Sequence, residues 1–67
     1  MKDWTIKEVI DYLDAVDLKI YKETFYKNKI KGKDLISLSE QELKDDLKMK
    51  MGDRKKFLNY IIFLNEL

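Results

Sequence analysis

The side chains with chemical capacity fall into three groups. Cations gather in the C-terminal third, at Lys48, Lys50, Arg54, Lys55 and Lys56, interrupted by Asp53. Carboxylates lie upstream, at Asp34, Glu40, Glu42, Asp45 and Asp46. Tyr60, Phe63 and Leu67 recur at helical spacing near the C-terminus. None of these sets equips an enzyme. The chain has no His and no Cys, so the commonest general base and the thiol nucleophile are both missing. The common zinc sites fall on the same ground. The two glycines, Gly32 and Gly52, form no phosphate-cradling loop. Asp45 and Asp46 would need a cleft to act as acid and base, and a chain of 67 residues leaves little depth for one. The expectation is no catalytic residue, no metal, no cofactor and no small-molecule substrate. Binding through charge and apolar surface is what remains.

Such side chains need a frame, and the frame reads as helical throughout. The chain has no Pro, no low-complexity tract and no strand-like alternation. Thr5 and Glu8 form a capping box, after which Val9, Tyr12, Leu13 and Val16 make one apolar stripe, with Asp17 ending the helix. Trp4, just before the cap, is expected to close the core against the last helix. A second helix fits about residues 19–28, with Tyr21 and Phe25 inward and Ile20 or Thr24 as a further inward position. Residues 28–32 read as a turn anchored by Ile30, followed by a very short helix near 33–37 that carries Leu35 and Leu38. Ile36 stands one position off that pair, either as a solvent-side hydrophobe or as helix filler. Ser39 and Glu42 form a second capping box, opening a helix that buries Leu43 and Leu47. Met49 is expected in the core and Met51 half-exposed. The last and longest helix runs from about Gly52 to Glu66, with Phe57, Leu58, Ile61 and Leu64 inward. Arg54, Lys55 and Lys56 sit against the dipole of its first turn, which gives a functional reading of them some weight. The fold class is therefore all-α, a compact five-helix bundle with a long C-terminal helix.

Length and charge bound the rest. A domain this small buries roughly 60% of its unfolded surface, so well-packed helix faces must supply its stability. The net charge of +1 argues against a general polyanion binder. No apolar run approaches the ~20 residues of a membrane span, and no signal-peptide pattern opens the chain. The expected setting is soluble and intracellular, cytoplasmic with the nucleus left open.

The ordered set resembles the sterile alpha motif (SAM) domain. Trp4-Thr5 opens it, followed by Val9, Tyr12-Leu13, Leu18, Tyr21 and Phe25. Ile30-Lys31-Gly32, Leu35, Leu38-Ser39 and Leu43 continue it, and Met49, Gly52-Asp53-Arg54 and Phe57-Leu58 complete it. The resemblance covers Trp4 to Ile61 and implies one SAM domain over residues 1–67, expected to be a piece of a larger multidomain protein. It also implies partners, namely other SAM domains, identical or different, and a role in oligomerising the parent. Two surfaces carry such contacts in the family. The end-helix surface maps to Lys50, Met51, Gly52, Asp53, Arg54 and Lys55, and the mid-loop surface to Asp34, Ile36, Glu42, Asp45 and Asp46. The turn Lys27 to Lys33 departs from the family pattern, because Lys29 and Lys31 stand where acids are common. Like charges across an interface repel, which weakens the expectation of a filament. Tyr60, Phe63 and Leu67 form a second candidate surface, for a dimer or for docking the rest of the parent. An RNA-hairpin contact through the basic start of the last helix is the alternative. It is set back by Asp53, by the near-zero net charge and by the lack of stacking platforms.

Overall fold

The computed structural model describes residues 2–66, with side chains as far as Leu64. Five α-helices and one 3-10 turn make up its regular structure: α1 (Ile6–Ala15), the 3-10 turn (Lys19–Tyr21), α2 (Lys22–Lys27), α3 (Gly32–Leu35), α4 (Glu40–Asp45) and α5 (Met51–Glu66). No strand occurs among the described residues. The expected all-α five-helix bundle is what forms.

Local chemistry starts the helices where the sequence puts it. The Thr5 hydroxyl accepts from the Glu8 N–H at 3.2 Å, and the Glu8 carboxylate accepts from the Thr5 N–H at 3.0 Å. Ser39 and Glu42 repeat the arrangement at the start of α4, at 3.1 and 2.9 Å. The helix ends are less conventional. Asp17, Lys29 and Lys48 all have positive φ, at 61°, 54° and 57°. After the first two, the chain doubles back so that Leu18 N–H reaches Leu13 O at 2.8 Å and Ile30 N–H reaches Phe25 O at 3.1 Å. These are Schellman closures, in which a left-handed residue lets the next N–H satisfy an orphan carbonyl. Each turn then drops its following apolar residue, Leu18 or Ile30, into the core.

One core results. Val9 and Leu13 of α1, Tyr21, Phe25 of α2, Leu35, Leu43, Leu47, Met49 and Phe57 with Ile61 of α5 are all buried in it. Phe25 and Phe57 meet edge to face at 5.7 Å, which joins α2 to α5. Trp4, Tyr12, Val16, Leu38 and Leu58 are half-buried around the rim. Trp4 tilts against Tyr12 with ring centroids 5.3 Å apart, and its carbonyl accepts from the Gly32 N–H at 2.9 Å. The N-terminal arm is thus tied to both α1 and α3.

Three expectations need correction. The single helix over 19–28 is broken into the 3-10 turn and α2, because the Tyr21 N–H bonds to Leu18 O in an i→i−3 pattern. Ile20 lies on that turn with 70% of its surface exposed, so the further inward position is not Ile20. The short helix at 33–37 begins instead at Gly32 and stops at Leu35, its start held by the Asp34 carboxylate accepting from the Lys31 N–H at 3.0 Å.

Candidate functional site

The start of α5 is built from its own sequence and from Tyr21. The Tyr21 ring is buried, and its hydroxyl accepts from the Lys50 N–H at 3.2 Å while donating to the Asp53 carboxylate. Burial is the first cause that pushes this phenol above its ordinary pKa of 10.0, and the bond to Asp53 is the second. Arg54 also turns inward. It is 8% exposed, and its guanidinium donates from Nη1 to the Met49 carbonyl at 2.7 Å. Its Nε has no hydrogen-bond partner, with Glu40 Oε1 standing 3.9 Å away. The one arginine among 14 basic residues is therefore a clamp between the loop before α5 and α5 itself.

With Asp53 and Arg54 engaged internally, the outward side chains of this helix start are Lys50, Met51 and Lys55, beside the exposed backbone of Gly52. Met51 is 61% exposed. A Cβ built on Gly52 would meet nothing within 4 Å, so this glycine is not required by packing. Lys48 is exposed in the preceding loop and Lys56 is half-buried. The local surface is cationic around an apolar thioether.

The acidic set is more divided. Asp34 is half-buried and occupied as a cap. Glu42 is exposed, with one oxygen engaged by the Ser39 N–H. Asp45 is exposed and accepts from Gln41 Nε2 at 3.0 Å. Asp46 and Glu40 are also exposed, and Ile36 is 42% exposed on the loop between α3 and α4. The structure thus gathers Glu40, Glu42, Asp45 and Asp46 on and just beyond α4, which packs against α5.

At the other end of α5, Tyr60 is half-buried while Phe63 is 60% and Ile62 is 55% exposed. Leu67 lies outside the described residues. Ile62 is exposed about 100° round the helix from Phe63, at a position that the spacing of Tyr60 and Phe63 does not select. Sequence reasoning also missed Tyr21 as a polar link and Arg54 as a buried one. The signal for the second was its identity: a chain that otherwise uses lysine places arginine where a planar fork is needed. For Tyr21 there was none, since an inward stripe position does not reveal what the hydroxyl meets. Among the described residues no cluster of acids forms a metal site, and no helix is long and apolar enough to cross a membrane.

A capped five-helix bundle, with the last helix longest and its start clamped by Tyr21 and Arg54, defines a class. The sequence model for the SAM domain (sterile alpha motif) matches residues 1–61, and the chain belongs to that family. Two solved assemblies carry the same fold. One chain of the Scm-SAM and Sfmbt-SAM heterodimer superposes with a TM-score of 0.86 at 34% identity, over 94% of this chain and 83% of that one. A chain of the hetero SAM domain structure of Ph and Scm gives 0.87 at 32% identity, over 96% and 98%. Among curated relatives, diacylglycerol kinase eta of Drosophila melanogaster is 38% identical over 64 residues. The human WD repeat, SAM and U-box domain-containing protein 1 is 41% identical over 61 residues. The chain spans 96% of itself but 3% of the length of that kinase, and 90% of itself but 13% of the human protein.

Proposed function

We propose that the chain joins its parent protein to another SAM domain, identical or different, through the exposed start of α5. The observation that carries this reading is the likeness, above 30% identity and across nearly the whole chain, to SAM domains solved in heterodimers. The charge arrangement supports it. Lys50 and Lys55 flank the exposed Met51 at the start of α5, while the nearby acid, Asp53, is turned to Tyr21. A matching surface would be acidic, and α4 of a second copy with the residue that follows it presents Glu40, Glu42, Asp45 and Asp46, with Ile36 close in sequence. Pairing of two different surfaces is heterologous and can propagate along a series of copies. Lys29 and Lys31, both exposed, add like charge to each copy, which favours short assemblies or an unlike, more acidic partner. The module acts by contact and needs no catalysis of its own. The burial of Arg54 removes the one arginine from the outward patch, which leaves the RNA-hairpin alternative without its best base-stacking cation.

Sedimentation velocity across a concentration series tests the reading on wild type, Gly52→Asp and Lys55→Glu. Both substitutions reverse or offset local charge without disturbing packing, because Gly52 has open space around it and Lys55 is exposed. An acid in the first turn also suits the helix dipole. Concentration-dependent association that disappears in both variants is the expected result. A monomer at every concentration would restrict the module to unlike partners. Association that survives both substitutions would overturn the start of α5 as the contact.

A further inference from the structure

An open groove lies on the N-terminal side of the domain, and it shares no residue with the start of α5. The apolar face of α1 is wider than the core can cover. Val9 and Leu13 fill the core, whereas Ile6 and Ile10, four residues apart on the flank of that face, stay half-buried. That flank forms one wall of the groove of about 710 Å³, completed by Trp4 and by Tyr26 of α2. Tyr26 is 65% exposed and Trp4 half-buried, so the domain leaves much of this apolar lining uncovered. The volume falls within the roughly 300–1,000 Å³ of cavities that hold drug-sized ligands, and so has room for several side chains.

Charge around the groove has one dominant sign. Lys2 and Lys7 rise on the α1 side, Lys31 and Lys33 on the α3 side, and Asp3 is the single carboxylate among the described lining residues. All four lysines are exposed. From this juxtaposition we infer that the groove is a docking site for an acidic amphipathic protein segment. Its apolar side chains enter between Trp4, Ile6, Ile10 and Tyr26, and its carboxylates meet the lysine rim. Charge complementarity selects the acidic partner, since a basic one would face four like charges. Concavity selects a protein segment over a lipid surface, because a groove receives protruding side chains as a helix-in-groove contact does.

Trp4 makes the groove directly observable, being the only tryptophan in the chain. The probe is a synthetic helical peptide with Leu at positions i, i+3, i+4 and i+7 and Glu at its exposed positions. A control peptide keeps the leucines and replaces every Glu with Lys. The 67-residue chain is titrated with each, and with phosphatidylserine vesicles, while Trp4 emission is recorded. The Glu peptide should give a saturable shift of Trp4 emission to shorter wavelength, and the Lys peptide and vesicles should give none. Lys7→Glu combined with Lys33→Glu should weaken binding by about tenfold or more, since like charges then face the peptide. Both positions are exposed in first helical turns where an acid is favourable, so the fold is kept. Ile10→Gln should weaken the same titration with far-ultraviolet circular dichroism unchanged. An unmoved Trp4 with the Glu peptide, equal responses to both peptides, a response to vesicles alone, or binding indifferent to the lysine reversals would each overturn the inference.

Discussion

The hydroxyl of Tyr21 connects parts of the chain 29 and 32 residues apart, at Lys50 and Asp53. Its oxygen uses both capacities of a phenol, accepting from one partner and donating to the other. Burial first, and the bond to Asp53 second, hold the phenol in its neutral form above the ordinary pKa of 10.0. The folded-state pKa therefore exceeds the unfolded value. The stability this group contributes is complete below pH 10 and is lost as pH rises through the folded-state pKa. Tyr21→Phe should lower stability at pH 7 by about 1 kcal/mol through the lost hydrogen bonds. It should also flatten the decline of the urea midpoint between pH 9 and 11. Some decline will persist, since Tyr12 is likewise raised, by burial and then by Tyr60. A variant whose midpoint falls with pH as steeply as wild type would refute the assignment to Tyr21. At this scale the sequence is read well for apolar residues and poorly for polar ones. Val9, Leu13, Phe25, Leu43 and Phe57 are where their spacing puts them. Arg54 is not on the surface where its charge suggested it would be, because the Met49 carbonyl needs a donor in a place water does not reach.

Helix starts and helix stops differ in how plainly they are written. The boxes Thr5/Glu8 and Ser39/Glu42 are chemical signatures, and both form. The stops depend on left-handed residues, and only Asp17 has a side chain that tolerates this conformation well. Lys29 and Lys48 carry no such signal, so the Schellman turn after α2 was legible as a turn but not in its geometry. The split of the expected 19–28 helix has a similar origin: Leu18 is pulled into the core by the first closure, and the chain re-enters helix through a tight 3-10 turn. Lys29 stores the cost of its positive φ in a solvent-exposed position. Lys29→Gly relieves that cost without touching the core. The expected gain is about 1 kcal/mol. For a domain of this size that corresponds to about 4–8 °C in Tm by calorimetry. Lys29→Ala, which keeps a Cβ in the same conformation, should give none of the gain.

The length of α5 sets the layout of the whole molecule. Sixteen residues at 1.5 Å rise make a rod of about 24 Å, close to the longest principal extent of 25 Å. The start of α5 and the exposed pair Ile62 and Phe63 are therefore held toward opposite ends of the domain. Gly52 and Phe63 are about 16 Å apart along the axis. Sites that far apart with no shared partner behave additively, so substitutions at one report on that one alone. This separation lets substitutions tell the two candidate surfaces of the last helix apart. The Phe63 end is apolar and carries none of the lysines that would steer an acidic SAM partner, whereas the Gly52 end carries Lys50 and Lys55. The double variant Ile62→Gln, Phe63→Gln should unfold within about 0.5 kcal/mol of wild type, because both side chains are mostly exposed and Gln is a good helix former. It should also sediment as wild type does at every concentration, in contrast to Gly52→Asp. If instead the double variant loses association while Gly52→Asp keeps it, pairing belongs to the Phe63 end. The end of the rod that lacks lysines would then be the one that joins molecules.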